Sequence, residues 1–377
     1  MSTTNARATR RDFLQAVIVG GAALKLPWLT GCCGTFPSPA PCDTDFTTLP
    51  PGLSAENARL LCLAARAPSG HNSQPWLVRV DSPLRWTLMA DMTRALPVID
   101  PVNRELHLSL GAFLENLALA AGVASMHLSI SDITADPLAV EVATLSLEPG
   151  PLSDYPTERM EQRRTIRGGL SSNAITDADV RMLRDAAGEA SLFFARGTEE
   201  ADYLEAGTRA AFQQQTWNDD AQAELAKWTR LSDADGLSTR DGLTPVMMDI
   251  PGLAGCFTRV FGADVLGAQW REGGIAKTAE QVQQGAGWFV MSTAAADIAE
   301  LLESGRRFQR MWLVAQSLEI GLHPMSQALE EAPWRDEVAS MLNVAGQVQW
   351  VMRLGYVAPY PTPDSLRRPV EQFATAP

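Results

Sequence analysis

Two short stretches of this 377-residue chain concentrate the residue types that hold and orient a ligand. The first is Pro68-Ser69-Gly70-His71-Asn72-Ser73-Gln74-Pro75-Trp76. Pro68 and Gly70 predict a tight turn. Ser69, Asn72 and Gln74 then offer a hydroxyl and two amides from a stiff loop entering a strand. Such a surface suits a flat, hydrogen-bonding heterocycle. A capped helix end with an Asn turn explains the same residues without a ligand. The second stretch is Gln162-Arg163-Arg164-Thr165-Ile166-Arg167-Gly168. In extended chain Arg163, Thr165 and Arg167 share one side, and two guanidinium groups flanking a hydroxyl make a phosphate cradle. A third basic group, Arg367-Arg368-Pro369, lies far downstream. Solvated surface charge is the plainer alternative for the arginines.

These arginines stand out because the chain is acidic, with 31 Lys and Arg against 44 Asp and Glu and a net charge of -13. That balance argues against nucleic-acid binding, which needs basic stripes. A chain 46% hydrophobic and 20% charged is neither disordered nor fibrous. No uninterrupted apolar run reaches the roughly 18 residues of a spanning helix, which excludes a polytopic membrane protein. The chain has no Gly-x-Ser-x-Gly elbow, His-Glu-x-x-His, Walker loop, Gly-x-Gly-x-x-Gly or zinc-type Cys spacing. Of four histidines, only His71 sits inside one of the two stretches; His107 and His127 are expected to pack or cap.

The elements that position these residues follow from periodicity. Ser54 caps a helix carrying Leu60, Leu61, Ala64 and Ala65, stopped by Pro68. Strands are expected at 76–80 and 86–90 around Ser82-Pro83, then a long helix with Leu106, Leu110, Phe113, Leu114, Leu117 and Ala121 on one face. Strands at 125–131 and 139–147 end at the breaker Pro149-Gly150-Pro151. Thr176 starts the next helix, and one long helix is expected over 199–230. Residues 231–275 read as an irregular, lid-like insertion. A strand at 288–291, a helical stripe from Ile298 to Leu318 and a last strand at 347–355 follow. Gly111, Leu119 and Ala121 recur as Gly305, Leu313 and Ala315, which suggests two related α+β halves, 53–150 and 151–377.

The N-terminus reads as a leader. Arg10-Arg11-Asp12-Phe13-Leu14 precedes an apolar run broken only by Lys25, so 1–31 is expected to be a twin-arginine signal peptide. Leu29-Thr30-Gly31-Cys32 resembles a lipobox, with Cys32 the lipidation site. An N-terminal helix of the fold, or a plain cleavage site with an incidental Cys, remains possible on these residues. Residues 32–52 form a Pro-rich tether. The expected location is the periplasm or cell envelope, reached through the twin-arginine machinery, with the membrane touched by the lipid anchor alone. Cys33 and Cys42 could bridge there, Cys62 fits packed core, and the pairing with Cys256 stays open.

Together the motifs resemble the nitroreductase superfamily. Pro68-Ser69-x-x-Asn72-x-Gln74-Pro75-Trp76 looks like its flavin-ring loop, and Arg163-Arg-Thr165-Ile-Arg167 like its phosphate motif. Gly321-Leu-His-Pro324-Met-Ser326-Gln327 looks like the loop on the N5 side of the flavin, where His323 would line it. The ending Arg353-Leu-Gly355-Tyr356, then Arg367-Arg368-Pro369, looks like the closing strand and phosphate-binding tail. The order departs from a single nitroreductase, because the ring loop lies in one half and the phosphate motif opens the other. The chain is therefore similar to the double-length, Acg-type branch. The resemblance implies an α+β, nitroreductase-like fold of mixed sheets flanked by helices, a fused pseudo-dimer acting as a monomer with one FMN site. Ser69, Asn72, Gln74, Arg163, Thr165, Arg167, Pro324, Ser326, Gln327, Arg367 and Arg368 would hold the cofactor. The chemistry would sit on FMN, with no required acid/base residue. Reduced flavin N5 would pass electrons to a small electron-poor acceptor such as a nitroaromatic or quinone, from a donor the residues do not name. The rival is a non-catalytic flavin-sequestering protein with 231–275 covering the ring.

Overall fold

A computed structural model describes residues 42, 49, 52–250, 254–255, 258 and 262–376. The twin-arginine segment, Cys32, Cys33, most of the tether and Cys256 lie outside the described residues.

The chain folds as two sheets flanked by helices, one sheet in each half. The first half runs helix Ala55–Ala64, β1 (Trp76–Ser82), β2 (Arg85–Ala90), helix Arg104–Val123, β3 (Met126–Ser131) and β4 (Glu141–Pro149). The second runs helix Asp177–Ala187, β5 (Ser191–Ala195), β6 (Gly287–Thr293), helix Ile298–Ser317, β7 (Ile320–Pro324) and β8 (Gln347–Tyr356). The sheet orders match: β3-β4-β2-β1 in one half and β7-β8-β6-β5 in the other. A shift of 194 residues carries Arg104–Val123 onto Ile298–Ser317, Gly111 onto Gly305 and Met126 onto Ile320. The weak three-residue repeat therefore marks a repeated supersecondary unit.

The two 20-residue helices are the axis of the molecule. They cross at the repeated glycines. A Cβ on Gly111 would stand 2.1 Å from the Leu302 carbonyl oxygen, and one on Gly305 would stand 2.1 Å from that of Leu108. Only glycine permits so close a backbone approach. Beside the crossing, buried Glu115 accepts from Arg310 at 2.7 Å and Arg306 at 3.2 Å, and Gln309 donates to Asn116 at 2.8 Å. Helix Arg104–Val123 is long and apolar enough to cross a membrane, yet most of it is buried in this pair.

The C-terminal tail crosses from one half to the other. After β8 the chain returns to the first half, where β9 (Ala374–Thr375) pairs parallel with β1, Val78 opposite Ala374. That strand makes the first sheet mixed; the second is antiparallel throughout among the described residues. The segment after β4 docks on the sheet of its own half, where the Ile166 amide donates to the Leu322 carbonyl at 2.9 Å and the Ser171 amide to Tyr356 at 3.0 Å.

Several expectations change. The long helix over 199–230 is two helices, Glu199–Thr216 and Asp219–Lys227, because Asn218 accepts from the Asp220 and Ala221 amides and caps a fresh start. Residues 231–275, expected to be irregular, contain helix Asp233–Thr239 and the first part of helix Ala268–Gln281. The strands β5, β7 and β9 and helix Trp334–Met341 were not anticipated. Cys62 is not a free core thiol: it forms a disulfide with Cys42, the two Cα atoms 5.7 Å apart.

Candidate functional site

The first-half loop is built under backbone constraint. His71, Asn72 and Gln74 all hold positive φ, at 49°, 53° and 54°. Three non-glycine residues in this region within four positions cost of order 1 kcal/mol each or more, and such strain persists where surrounding contacts over-determine it. Here the contacts are on the page. Ser69 Oγ accepts from the Gln74 amide at 2.9 Å and shapes the loop from inside. Arg94 donates to the Ser73 carbonyl at 2.8 Å. Arg368 donates to the carbonyls of Gln74 and Trp76 at 2.7 and 2.8 Å.

The second half supplies the arginines. Ile166 packs with Leu170 and Val357. Arg163 is buried against the first half. Its guanidinium lies 4.4 Å over the Trp312 ring and donates to the Arg66 carbonyl at 3.0 Å. Arg367 reaches the same place from the tail, donating to Asn72 Oδ1 at 3.0 Å and to the Ala67 carbonyl at 3.2 Å. Thus Asn72, Arg163 and Arg367, from three distant segments, meet beside residues 66–67. Arg167 turns toward the insertion and donates to the Met247 carbonyl at 2.6 Å, while Arg353 donates to the carbonyl of Arg167. Arg164 points away and pairs with Asp364.

This corner is electropositive and incomplete. Arg163 Nε and Nη1 and Arg367 Nε are buried without a hydrogen-bond partner. Burial pushes the Arg163 guanidinium down to about 10, with Tyr360 and Asp364 opposing. Burial and the charges of Arg163 and Arg66 hold Arg367 well below its ordinary value. A buried cation with vacant donors is costly unless an anion completes it. A phosphate, with several acceptor oxygens, fits these vacant donors. Half-buried Thr165 lies between Arg163 and Arg167 in the chain.

The amides of the ring-type loop are arranged differently from the expectation. Asn72 Nδ2 donates to the Gly242 carbonyl at 3.1 Å and to Leu366 at 3.3 Å. Gln74, fully buried, donates to the Arg240 carbonyl at 2.9 Å and accepts from the Arg368 amide at 2.8 Å. Both side chains engage the insertion and the tail. Asp241 pins that insertion by pairing with Arg94 at 2.7 Å and Arg230 at 2.8 Å.

Pro324, Ser326 and Gln327 lie at the end of the second sheet's edge strand. The stretch expected as a loop is the strand β7 ending at Pro324, followed by the short helix Gln327–Glu330. His323 Nδ1 accepts from Arg353 Nε at 3.1 Å, so its proton sits on Nε2. Burial, then the charges of Arg353 and Arg167, hold this imidazole neutral. Gln327 Oε1 is buried without a partner. Beyond it, Gln215 donates to Glu330, whose carboxyl is pushed up to about 8 by burial and by Glu105. Glu105 in turn lies against the loop, its Oε2 3.2 Å from where a Cβ on Gly70 would stand. His71 is pushed down to about 4 by burial, Glu105 opposing and Arg167 reinforcing the shift.

Sequence reasoning did not single out Arg66, Trp312 or Glu330, and placed Arg353 only in the closing strand. Arg66 abuts the Pro68–Trp76 stretch, and that adjacency was its one signal. Trp312 was assigned to a packing stripe, which is also true of it.

No family model matches the chain. It is 25% identical over 335 residues to two proteins of Mycobacterium tuberculosis, "Putative NAD(P)H nitroreductase Rv3131" of strain H37Rv and "Putative NAD(P)H nitroreductase MT3217" of strain CDC 1551. Each match covers 86% of this chain and 92% of the relative. Among solved structures, the FMN-dependent nitroreductase NfnB of Mycobacterium smegmatis in complex with NADPH overlaps 53% of this chain and 86% of its own, at 14% identity and a TM-score of 0.32. A nitroreductase-named structure from Anabaena variabilis overlaps 72% and 69%, at 13% identity and the same TM-score.

Proposed function

We propose that the chain is a nitroreductase-like oxidoreductase holding one FMN in the seam between its halves. The observation that carries this reading is the convergence of Arg163 and Arg367 on the carbonyls of residues 66–67, with buried donors vacant beside strained Asn72. The names of the Mycobacterium tuberculosis relatives support the same class. FMN, when bound, supplies two-electron chemistry toward a small electron-poor acceptor such as a nitroaromatic or quinone. The chain's own residues bind and orient it. Arg163, Thr165 and Arg367 would take the phosphate, with the Trp312 ring fixing the plane of the Arg163 guanidinium. Asn72 and Gln74 would face the polar edge of the ring from the first half. Pro324, Ser326 and Gln327 would close the other side, and neutral His323 offers Nε2–H as a donor rather than a charge.

A second reading has its own observation. Asn72 and Gln74 are satisfied by Gly242, Arg240, Leu366 and Arg368, so the insertion and the tail cover the ring loop. A protein that stores flavin under a cover is the outcome of such an arrangement when the cover stays shut. Anaerobic photoreduction followed by addition of nitroaromatic or quinone separates the two readings. Reoxidation within the dead time favours turnover; a persistent reduced spectrum favours storage. NADH and NADPH, added to the oxidised protein, test the donor that the relatives' names suggest.

Export by the twin-arginine route and lipidation at Cys32 belong to this proposal. They are supported by the order of the N-terminal motifs and by the Cys42–Cys62 disulfide, a bond that persists in oxidising compartments. Purified chain from the cell envelope should carry about one FMN. Two FMN per chain, or none, would falsify the single-seam site.

A further inference from the structure

The Cys42–Cys62 disulfide lies outside the machinery assigned so far, yet it ends at the phosphate corner. Cys62 belongs to helix Ala55–Ala64, whose chain runs on to Arg66 within two residues of the helix end. Cys42 is buried, and its amide donates to Glu161 Oε1 at 2.7 Å. Glu161 closes helix Glu158–Gln162, which leads directly into Arg163. The same carboxylate stands 3.6 Å from Arg66 Nη2, and that nitrogen lies 3.4 Å from Cys42 Sγ. One disulfide thus joins the segment carrying Cys42, the end of the first-half helix and the approach to the phosphate motif. The carbonyl of Arg66, at the centre, accepts from Arg163 at 3.0 Å and from Arg367 at 3.4 Å.

We propose that this disulfide braces the phosphate end of the flavin site, so that its oxidation state sets how tightly the phosphate is held. The inference rests on the FMN reading above and adds Cys42, Cys62, Glu161 and Arg66 as positioning residues. With the bond closed, Glu161 is anchored by the Cys42 amide and holds the Arg66 guanidinium, which keeps the Arg66 carbonyl under Arg163 and Arg367. A dithiol opens the bond by exchange: the S–S bond takes up two electrons and two protons, giving two cysteine thiols, and the dithiol leaves as its cyclic disulfide. Cys42 is then released, Glu161 loses its amide donor, and the cradle loses its alignment. The ring contacts of Asn72 and Gln74 do not pass through this brace. The effect therefore falls on FMN and spares riboflavin, which lacks the phosphate.

The test uses the full chain without its leader, freed of flavin, and compares FMN with riboflavin binding by quenching of flavin fluorescence. The oxidised protein is set against protein treated with dithiothreitol, with opened thiols counted, against the double variant Cys42→Ser/Cys62→Ser, and against Glu161→Gln with the disulfide intact. The expected result is a loss of about ten-fold in FMN affinity on opening the bond, the size of one charge-assisted contact, with riboflavin affinity held within two-fold. Glu161→Gln should shift the FMN-to-riboflavin ratio the same way. It also carries the test if the cysteine variant does not fold. An unchanged ratio with both thiols free overturns the brace while leaving the FMN site standing, as does an equal fall for both flavins. Oxidised wild-type protein that binds FMN no better than riboflavin overturns the phosphate corner itself, and the brace with it.

Discussion

The two halves share one topology and differ in what they insert into it. In the first half, β1 and β2 are joined by a tight turn at Pro83-Leu84, and β1 alternates buried and half-buried residues before its exposed end at Asp81 and Ser82. In the second half, residues 196–286 separate β5 from β6, and every position of β6 is buried. Trp288 and Val290 pack outward with Ala201 and Leu204 of the insertion, while Phe289 and Met291 pack inward on Phe308 and Trp312. The junction between the leading helix and the first strand of each sheet differs as well. It holds Ala65 to Pro75 in the first half, but only Gly188, Glu189 and Ala190 in the second. One half thus keeps the loop, and the other keeps the arginines and the returning tail. The lesson is that a fused pair is free to lose each part once. On the proposed reading one site remains, and its pieces must meet across the seam.

The strongest way to break that comparison is at the crossing of the central helices. Gly305→Leu places a side chain where a Cβ alone would stand 2.1 Å from a main-chain oxygen. It should lower unfolding stability by about 3 kcal/mol or more, measured by urea denaturation, and Gly111→Leu should do the same. If one of the pair is tolerated, the halves are not related as the repeat requires.

Next in size is Arg163→Ala. Loss of a buried, charge-assisted contact should cost about ten- to a hundred-fold in FMN affinity and far less for riboflavin. Arg163→Lys should recover only part of this, since an ammonium cannot stack flat on Trp312 as the guanidinium does. An equal loss for both flavins would assign Arg163 to holding the halves together.

A smaller effect is expected where the insertion clasps the first half. Asp241→Asn keeps the shape but removes the charge that Arg94 and Arg230 share. The clasp should weaken by roughly 1 kcal/mol. Hydrogen exchange at the Gly242 amide, which donates to the Asn72 carbonyl at 3.2 Å, reports this locally. Unchanged protection there, with wild-type folding elsewhere, means that the insertion does not depend on Asp241.

The finest test is pH. Glu330 titrates near 8 in the folded chain against an ordinary value of 4.5, raised by burial and by Glu105. Between those values the folded state binds more protons than the unfolded, so this group makes stability fall as pH rises from about 4.5 to 8. His71 has the opposite sign: its folded value near 4 lies below 6.5, so its contribution grows from pH 4 to 6.5. Glu330→Gln should remove the decline above pH 6.5, steepen the rise between about 4.5 and 6.5 that His71 contributes, and leave the slope below about 4.5 as it was. A decline that survives in this variant assigns it to another group.

Much of the fold was legible because its signals are local. The helix at Ala55–Ala64 follows from its Ser54 cap, and the strands at 76–82 and 85–90 follow from their residue types and the turn between them. The recurrence of Gly111 as Gly305 was visible as three matching positions. Strands β5, β7 and β9 were not, because Ser191–Ala195 and Ile320–Pro324 are short and gain their partners from distant chain. Arg163, Arg367 and Asn72, singled out from the sequence, meet beside residues 66–67 in the fold. Ser69 turned out to shape its own loop, and Asn72 and Gln74 turned out to be engaged by Gly242, Arg240 and the tail, none of which adjoins them in sequence.

By itself the sequence determined which residue types could hold an anion and a polar ring, because arginine spacing and amide-bearing turns are properties of a few consecutive residues. It also determined the helix caps, the breaker at Pro149-Gly150-Pro151 and the repeat. Tertiary structure alone decided that these parts belong together. Arg163 meets Arg66 across 97 residues of chain, and Arg367 meets Asn72 from a tail that β9 pairs with β1. It also decided that Cys42 pairs with Cys62. A disulfide is chosen by the distance between two Cβ atoms in the folded chain, and no spacing along the chain encodes that distance.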